Sequence, residues 1–225
     1  MSDGFELTGD ALATPGVVLR FGNAGDIEAI ASLISMAGSG LFEFLLDDLV
    51  PGLSAADFLK YAVSDSNSPF NYSNAVLAEV DNEVLGLALC YPGENFGLPW
   101  VVHRLVPSRR LEKIQSLLDS KLDGSLYLNS LAVIEGAQRM GVGRKLLGCV
   151  EELSRELSFD TVTLHVWGWN EAALELYHNV GLKTVRFINI DRDERLPSEG
   201  GMLQMEMKVP CGQGSLMRSD LDPPH

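Results

Sequence analysis

Cysteine is scarce in this chain, and the little present forms no pattern. Cys90, Cys149 and Cys211 lie far apart, with no CxxC pair among them. That argues against a disulfide framework and a structural zinc site, and it fits a reducing, cytoplasmic setting. Basic charge is also short: 17 Lys and Arg face 31 Asp and Glu, a formal net charge of -14. A surface of that sign repels a phosphate backbone, so no nucleic-acid partner is expected, whereas a cationic acceptor is compatible. No apolar run is long enough to cross a bilayer, so no membrane partner is expected either. Residues 1–13 carry Asp3, Glu6 and Asp10 and no basic residue, unlike a signal peptide. His, Cys and acidic residues do not cluster, so no metal is expected.

What is present is ordinary globular composition: 225 residues, 46% hydrophobic and 21% charged. One domain is expected over residues 17–209, between a polar leader (1–16) and a polar tail (210–225), with no internal repeat. Residues 17–21 read as a short edge strand. Asp26 is a helix N-cap, followed by Ile27, Ile30, Ala31, Ile34 and Ala37 at helical spacing. Gly38-Ser39-Gly40 breaks that helix. A second is expected over 41–50, and Ser54 with Asp57 forms a capping box for a third. Strands over 75–80 and 84–91 are joined by Asp81-Asn82-Glu83, a hairpin signal. Residues 92–107 read as irregular and 110–122 as one helix.

The most informative stretch is 126–182. An apolar strand (126–133) runs into Gln138-Arg139-Met140-Gly141-Val142-Gly143, then a helix with Leu146, Leu147, Val150, Leu153 and Leu157 on one stripe. Glycines at this spacing let the backbone turn tightly and let a ligand approach main-chain N–H groups. The first N–H groups of the following helix lack intrahelical partners, and with the helix dipole they suit a phosphate or pyrophosphate. No GK[ST] follows, which argues against a nucleoside triphosphate site. A strand (161–166) and a short helix capped by Asn170 come next. Gly181 stops that helix, and further strands are expected over 182–190 and 202–209.

This succession resembles the GNAT superfamily of N-acetyltransferases. Residues 138–143 fit the family's Q/R-x-x-G-x-G/A acyl-CoA loop, and the strand ending Ser130-Leu131-Ala132-Val133 is similar to its fourth strand. The segment from Asn170 through Ala173 and Tyr177 to Gly181 and Leu182 resembles its second hallmark, Asn-x-x-Ala-x-x-x-Tyr. The resemblance implies an α/β (α+β) fold: a mixed central sheet of six to seven strands, a splayed fourth and fifth pair, and flanking helices. It implies that Leu131 and Val133, with Ala132 between them, offer main-chain groups to pantetheine. The amides of Gln138, Arg139, Gly141, Gly143 and Arg144 are then expected to hold the pyrophosphate, with Asn170 near the pantetheine. Arg139, Arg144 and Lys145 add local positive charge.

The implied reaction is attack of a primary amine, on a small molecule or a protein, on the thioester of acetyl-CoA. A homodimer is compatible with the family. Only the neutral amine is a nucleophile; a lysine-like pKa near ~10.4 puts that form roughly 4.6 kcal/mol uphill at pH 7. A backbone N–H near Leu131 is the natural oxyanion donor. Tyr177 matches the family tyrosine that serves the leaving thiolate, although a helix tyrosine can equally pack on a core. The base is open. Glu43, Glu79, Glu94, His103 and Glu135 are candidates, Asn129 and Ser130 could orient a water, and His165 reads as a core histidine. Residues 38–53, with Phe42, Glu43, Phe44, Asp47 and Asp48, and residues 191–201 are expected to shape the acceptor site. Residues 94–122 read as a lid or a dimer contact. The alternative is a non-catalytic acyl-CoA sensor on the same fold.

Overall fold

Seven strands make one sheet: β1 (Val18–Phe21), β2 (Ala75–Val80), β3 (Glu83–Pro92), β4 (Leu126–Val133), β5 (Thr161–Trp167), β6 (Lys183–Asn189) and β7 (Gly201–Lys208). Their order is β1-β2-β3-β4-β5-β7-β6. All neighbours are antiparallel except β4 and β5, which run parallel. The structure is a computed structural model and describes residues 16–120, 122–196 and 200–210. The leader and tail expected from the sequence lie outside these residues, apart from Gly16 and Pro210.

Eight helices flank the sheet among the described residues. They are α1 (Ile27–Gly38), α2 (Leu41–Leu46), α3 (Ala55–Ser64), α4 (Trp100–Leu105), α5 (Ser108–Lys113), α6 (Gln115–Leu118), α7 (Val142–Glu156) and α8 (Glu171–Asn179). Strand alternation sorts their partners. Val76 and Ala78 of β2 pack with Leu146 and Val150 of α7 on one face. Ala75 and Leu77 pack with Ile30 and Ile34 of α1 on the other. Strands covered on both sides must be apolar at nearly every position, as β2 and β3 are.

Local signals act as the sequence predicts at several points. Ser54 and Asp57 form a complete capping box before α3. Asp81 and Asn82 both have positive φ, 51° and 66°, the backbone that a two-residue hairpin turn demands. Asp26 contributes differently: its carboxylate accepts from Asn23 N at 2.8 Å in a preceding 3-10 turn and does not cap α1 itself.

Three expectations are corrected. α2 stops at Leu46, because the Asp47 carboxylate turns to accept from Ala55 N at 2.7 Å, at the start of α3. Residues 92–107 are not irregular throughout, since α4 forms after Pro99. The single helix over 110–122 is two, broken where Ile114 sits at φ -113°, ψ 13° and turns its buried side chain into the core beside α2.

Candidate active site

β4 and β5 pair over only three rungs, Leu126–Val162, Tyr127–Thr163 and Leu128–Leu164. Beyond Leu128 the edge of β4 that faces β5 has no strand partner among the described residues. On its other edge β4 carries one extra residue: Leu89 of β3 pairs with Ser130, whereas Cys90 pairs with Leu128. The extra residue is Asn129, and such a bulge bends a strand and raises its twist. The bulge falls where the strands part. The splayed pair is therefore built by β4 itself.

A cavity of about 140 Å³ occupies the gap. Leu128, Asn129 and Leu131 of β4, His165 and Val166 of β5, and Asn170, Ala173 and Tyr177 around α8 all line it. Tyr177 is 7% exposed, its hydroxyl makes no hydrogen bond among the described residues, and burial pushes its phenol up, so the proton stays on. Asn170 has both expected roles open to it: Oδ1 accepts from Ala173 N at 3.1 Å as the cap of α8, and the residue lines the cavity.

The glycine loop lies at the far end of β4. Arg139 and Gly141 turn it with φ of 62° and 84°. Gly141 is the N-cap of α7 and supplies no side chain to cap it. The first helical bond is Lys145 N to Gly141 O at 3.0 Å, so the amides of Val142, Gly143 and Arg144 stand in the first turn, where a helix supplies no intrahelical acceptor. A Cβ on Gly143 would meet Leu176 Cδ2 at 3.0 Å and Val133 Cγ2 at 3.8 Å. α7, α8 and the end of β4 therefore converge on this glycine. Arg139 and Arg144 stand exposed beside it, without an ion-pair partner among the described residues.

Other expected parts are differently placed. The Gln138 amide donates to Glu135 O at 3.2 Å, and its side chain donates to Val133 O at 3.2 Å. The backbone amide expected to face a ligand is thus bonded within the loop, while the side chain ties the loop to β4. Lys145 reaches Val17 O at 2.5 Å, toward β1 and not the loop. Ala132 is buried toward α1, and Leu131 lines the cavity.

None of the candidate bases reaches the cavity wall. Glu79 pairs with Arg20 at 2.7 Å. Glu94 accepts from Gly124 N at 2.8 Å. Glu43 accepts from the Ser35 hydroxyl. His103 and Glu135 are exposed. Asn129 is committed too, donating to Tyr91 Oη at 3.0 Å and accepting from Ser130 Oγ at 2.8 Å.

The residue that sequence reasoning passed over is His165. Its Nδ1 lies 3.1 Å from Tyr127 Oη, while its Nε2 is buried with no partner among the described residues. Burial, then the positive charge of Arg186, pushes its pKa down to about 4, so it is neutral near pH 7. It is therefore not a satisfied core histidine. The parallel register, which the sequence alone does not show, brings it to Tyr127. Thr163 pairs with Tyr127, and His165, two residues on, shares its face at the carboxyl end of the strand.

A family model for the acetyltransferase (GNAT) family matches residues 41–182. The match covers more than half of the chain, and the chain belongs to this family. It is 28% identical over 98 residues to N-alpha-acetyltransferase 50 of Danio rerio, across 42% of this chain and 58% of that protein's length. An N-acetyltransferase from Staphylococcus aureus Mu50 overlays with a TM-score of 0.61 at 22% identity, covering 84% of this chain and 100% of that one. YncA from Salmonella typhimurium, solved with acetyl-CoA, overlays with a TM-score of 0.54 at 13% identity, covering 87% and 95%. At those identities the overlays establish the fold. No helix among the described residues is long and apolar enough to cross a membrane.

Proposed function

We propose that the protein is an acetyl-CoA-dependent N-acetyltransferase that acetylates a primary amine. The observation that carries this reading is the grouping of His165, Tyr127 and Tyr177 around one gap in β4 and β5. The residues also fit an acyl-CoA. Three uncapped amides at α7, with Arg139 and Arg144 beside them, suit a pyrophosphate. The edge of β4 at Leu131, Ala132 and Val133, which has no strand partner among the described residues, suits a pantetheine arm that pairs as a strand would. Gly141 and Gly143 keep side chains out of that approach. Gln138 holds the loop, and Asn170 stands at the cavity wall.

When bound, the thioester supplies an acyl group activated for attack. The chain's own residues manage the protons. With Nδ1 donating to Tyr127 Oη, His165 carries its free lone pair on Nε2, where it takes a proton from the attacking amine. Burial disfavours the imidazolium, so the proton goes on from His165 to the departing CoA sulfur, which leaves as the neutral thiol while the amide forms. Tyr177 keeps its own proton and donates a hydrogen bond to the departing sulfur.

The test is release of CoA thiol from acetyl-CoA over a panel of primary amines. Release with at least one amine is expected. Tight acetyl-CoA binding with no release for any amine would overturn the reading and leave an acyl-CoA sensor.

A further inference from the structure

A second cavity, of about 630 Å³, adjoins the first and shares Phe42, Leu45, Phe70 and Phe96 with it. α2, α3, the 65–70 turn and the segment through α4 enclose it. Its size falls within the range of about 300–1,000 Å³ that small-molecule sites occupy. Trp100 and Tyr61 both line it, and at 72% and 71% exposure they are the most exposed large apolar side chains among the described residues. Val101 and Leu105, also on this wall, are 48% and 44% exposed. Apolar surface gathered this way around one opening marks a place that something apolar covers.

Charge narrows the occupant further. Asp65 is the one charged side chain on the described wall of this cavity. Its carboxylate already accepts from Asn67 N at 3.0 Å. The acidic residues that the sequence offered for a cationic acceptor point elsewhere. Asp47 accepts from Ala55 N, and neither Glu43 nor Asp48 lines either cavity. A polyamine would bring several charges to a wall with nothing to pair them.

The shared wall brings this cavity next to the reacting groups, and packed rings link the two. Neighbouring rings run from Phe42 to Phe70 at 5.9 Å, to Tyr91 at 6.0 Å and to Tyr127 at 5.5 Å; Phe96 stands 5.3 Å from His165. We infer that the acceptor is a primary amine carried on a bulky apolar body, and that the larger cavity holds that body while the amine reaches His165. The inference rests on the transferase reading above. Two sources share this chemistry, a free alkyl- or arylalkylamine and an apolar residue at a peptide's amino terminus.

The experiment measures kcat/KM for hexylamine, 2-phenylethylamine, the peptide Phe-Gly-Gly, ethylamine and spermidine, at equal concentrations of free base. At least one of the first three should exceed ethylamine and spermidine by about 10- to 100-fold, as pocket burial of several methylenes allows. A peptide that outruns both free apolar amines assigns the source to a polypeptide amino terminus. Trp100→Ala and Tyr61→Ala should each raise KM for the favoured amine about tenfold, because each removes an aromatic ring that would cover the apolar body. Their acetyl-CoA affinity and Tm should stay at the wild-type values. Equal efficiency with ethylamine or spermidine, or an unchanged KM in both variants, overturns this inference and leaves the transferase reading intact. No release with any amine overturns both.

Discussion

Tyr127 Oη and His165 Nδ1 lie 3.1 Å apart where β4 and β5 are about to separate. Tyr127 sits on the middle of the three paired rungs, and His165 is the first residue of β5 past the last. The hydrogen bond fixes the imidazole at the mouth of the gap. If the pair acts as a unit, Tyr127→Phe should lower kcat at least tenfold and His165→Gln about 100-fold, the range of general acid–base effects. Acetyl-CoA affinity should be unchanged in both. The double variant should be no slower than His165→Gln alone. Fully additive losses would show that the two residues act separately.

The same histidine sets a pH dependence of stability. Its ordinary pKa is 6.5, and burial with Arg186 holds it at about 4 in the folded chain. Between these values the unfolded chain binds the extra proton and the folded one does not, so acid favours unfolding. Its contribution is fully present above pH 6.5 and is lost as pH falls toward 4, on the order of 3 kcal/mol in all. Urea unfolding from pH 7 to 4.5 should show a steeper loss for wild type than for His165→Gln. Parallel curves would mean that the ring is solvated.

Most of the fold was legible because its signals are local. The Ser54–Asp57 box, the Asp81–Asn82 turn and the stripe of α7 each need only neighbours in sequence. The break at Ile114 was not, because it answers to a core built from α2 and the ends of β6 and β7. The bulge at Asn129 was hidden for a similar reason: a strand's pairing register depends on its partner. His165 was misjudged because a histidine among apolar strand residues looks the same from sequence whether its ring meets a core or a cavity.

Tyr177 offers a cleaner separation of roles. It is buried, so its ring supports packing, and its hydroxyl has no partner to lose among the described residues. Tyr177→Phe should therefore keep Tm within a degree or two and keep acetyl-CoA affinity, while kcat falls about 10- to 100-fold. A normal kcat would assign the residue to the core alone.

Gly143 tests the pyrophosphate placement. An aspartate there would press on Leu176 and set a negative charge among the free amides of α7. Gly143→Asp should abolish measurable acetyl-CoA binding, whereas Gly143→Ala needs only Leu176 to shift and should weaken it less. Calorimetry on both variants, with circular dichroism to confirm folding, decides the matter. Normal binding by a folded Gly143→Asp protein would move the pyrophosphate elsewhere.

Arg110 connects stability to the acceptor side. It is 3% exposed, and its Nη1 donates to Leu45 O at 3.0 Å and Asp47 O at 2.7 Å, closing the end of α2 onto α5. Its Nε is buried without a partner among the described residues, and burial holds the guanidinium below its usual range. Arg110→Met would keep the apolar stem and strand two carbonyls, a cost of about 1–3 kcal/mol in urea unfolding. Loss of the buried charge offsets part of that. Because α2 carries Phe42 and Leu45 on the walls of both cavities, KM for the acceptor should rise while acetyl-CoA affinity holds. Arg110→Lys supplies a donor without the planar fork and should recover part of the stability. If acetyl-CoA affinity weakened together with the rise in acceptor KM, α2 would be supporting the whole gap between β4 and β5 and not its acceptor side alone.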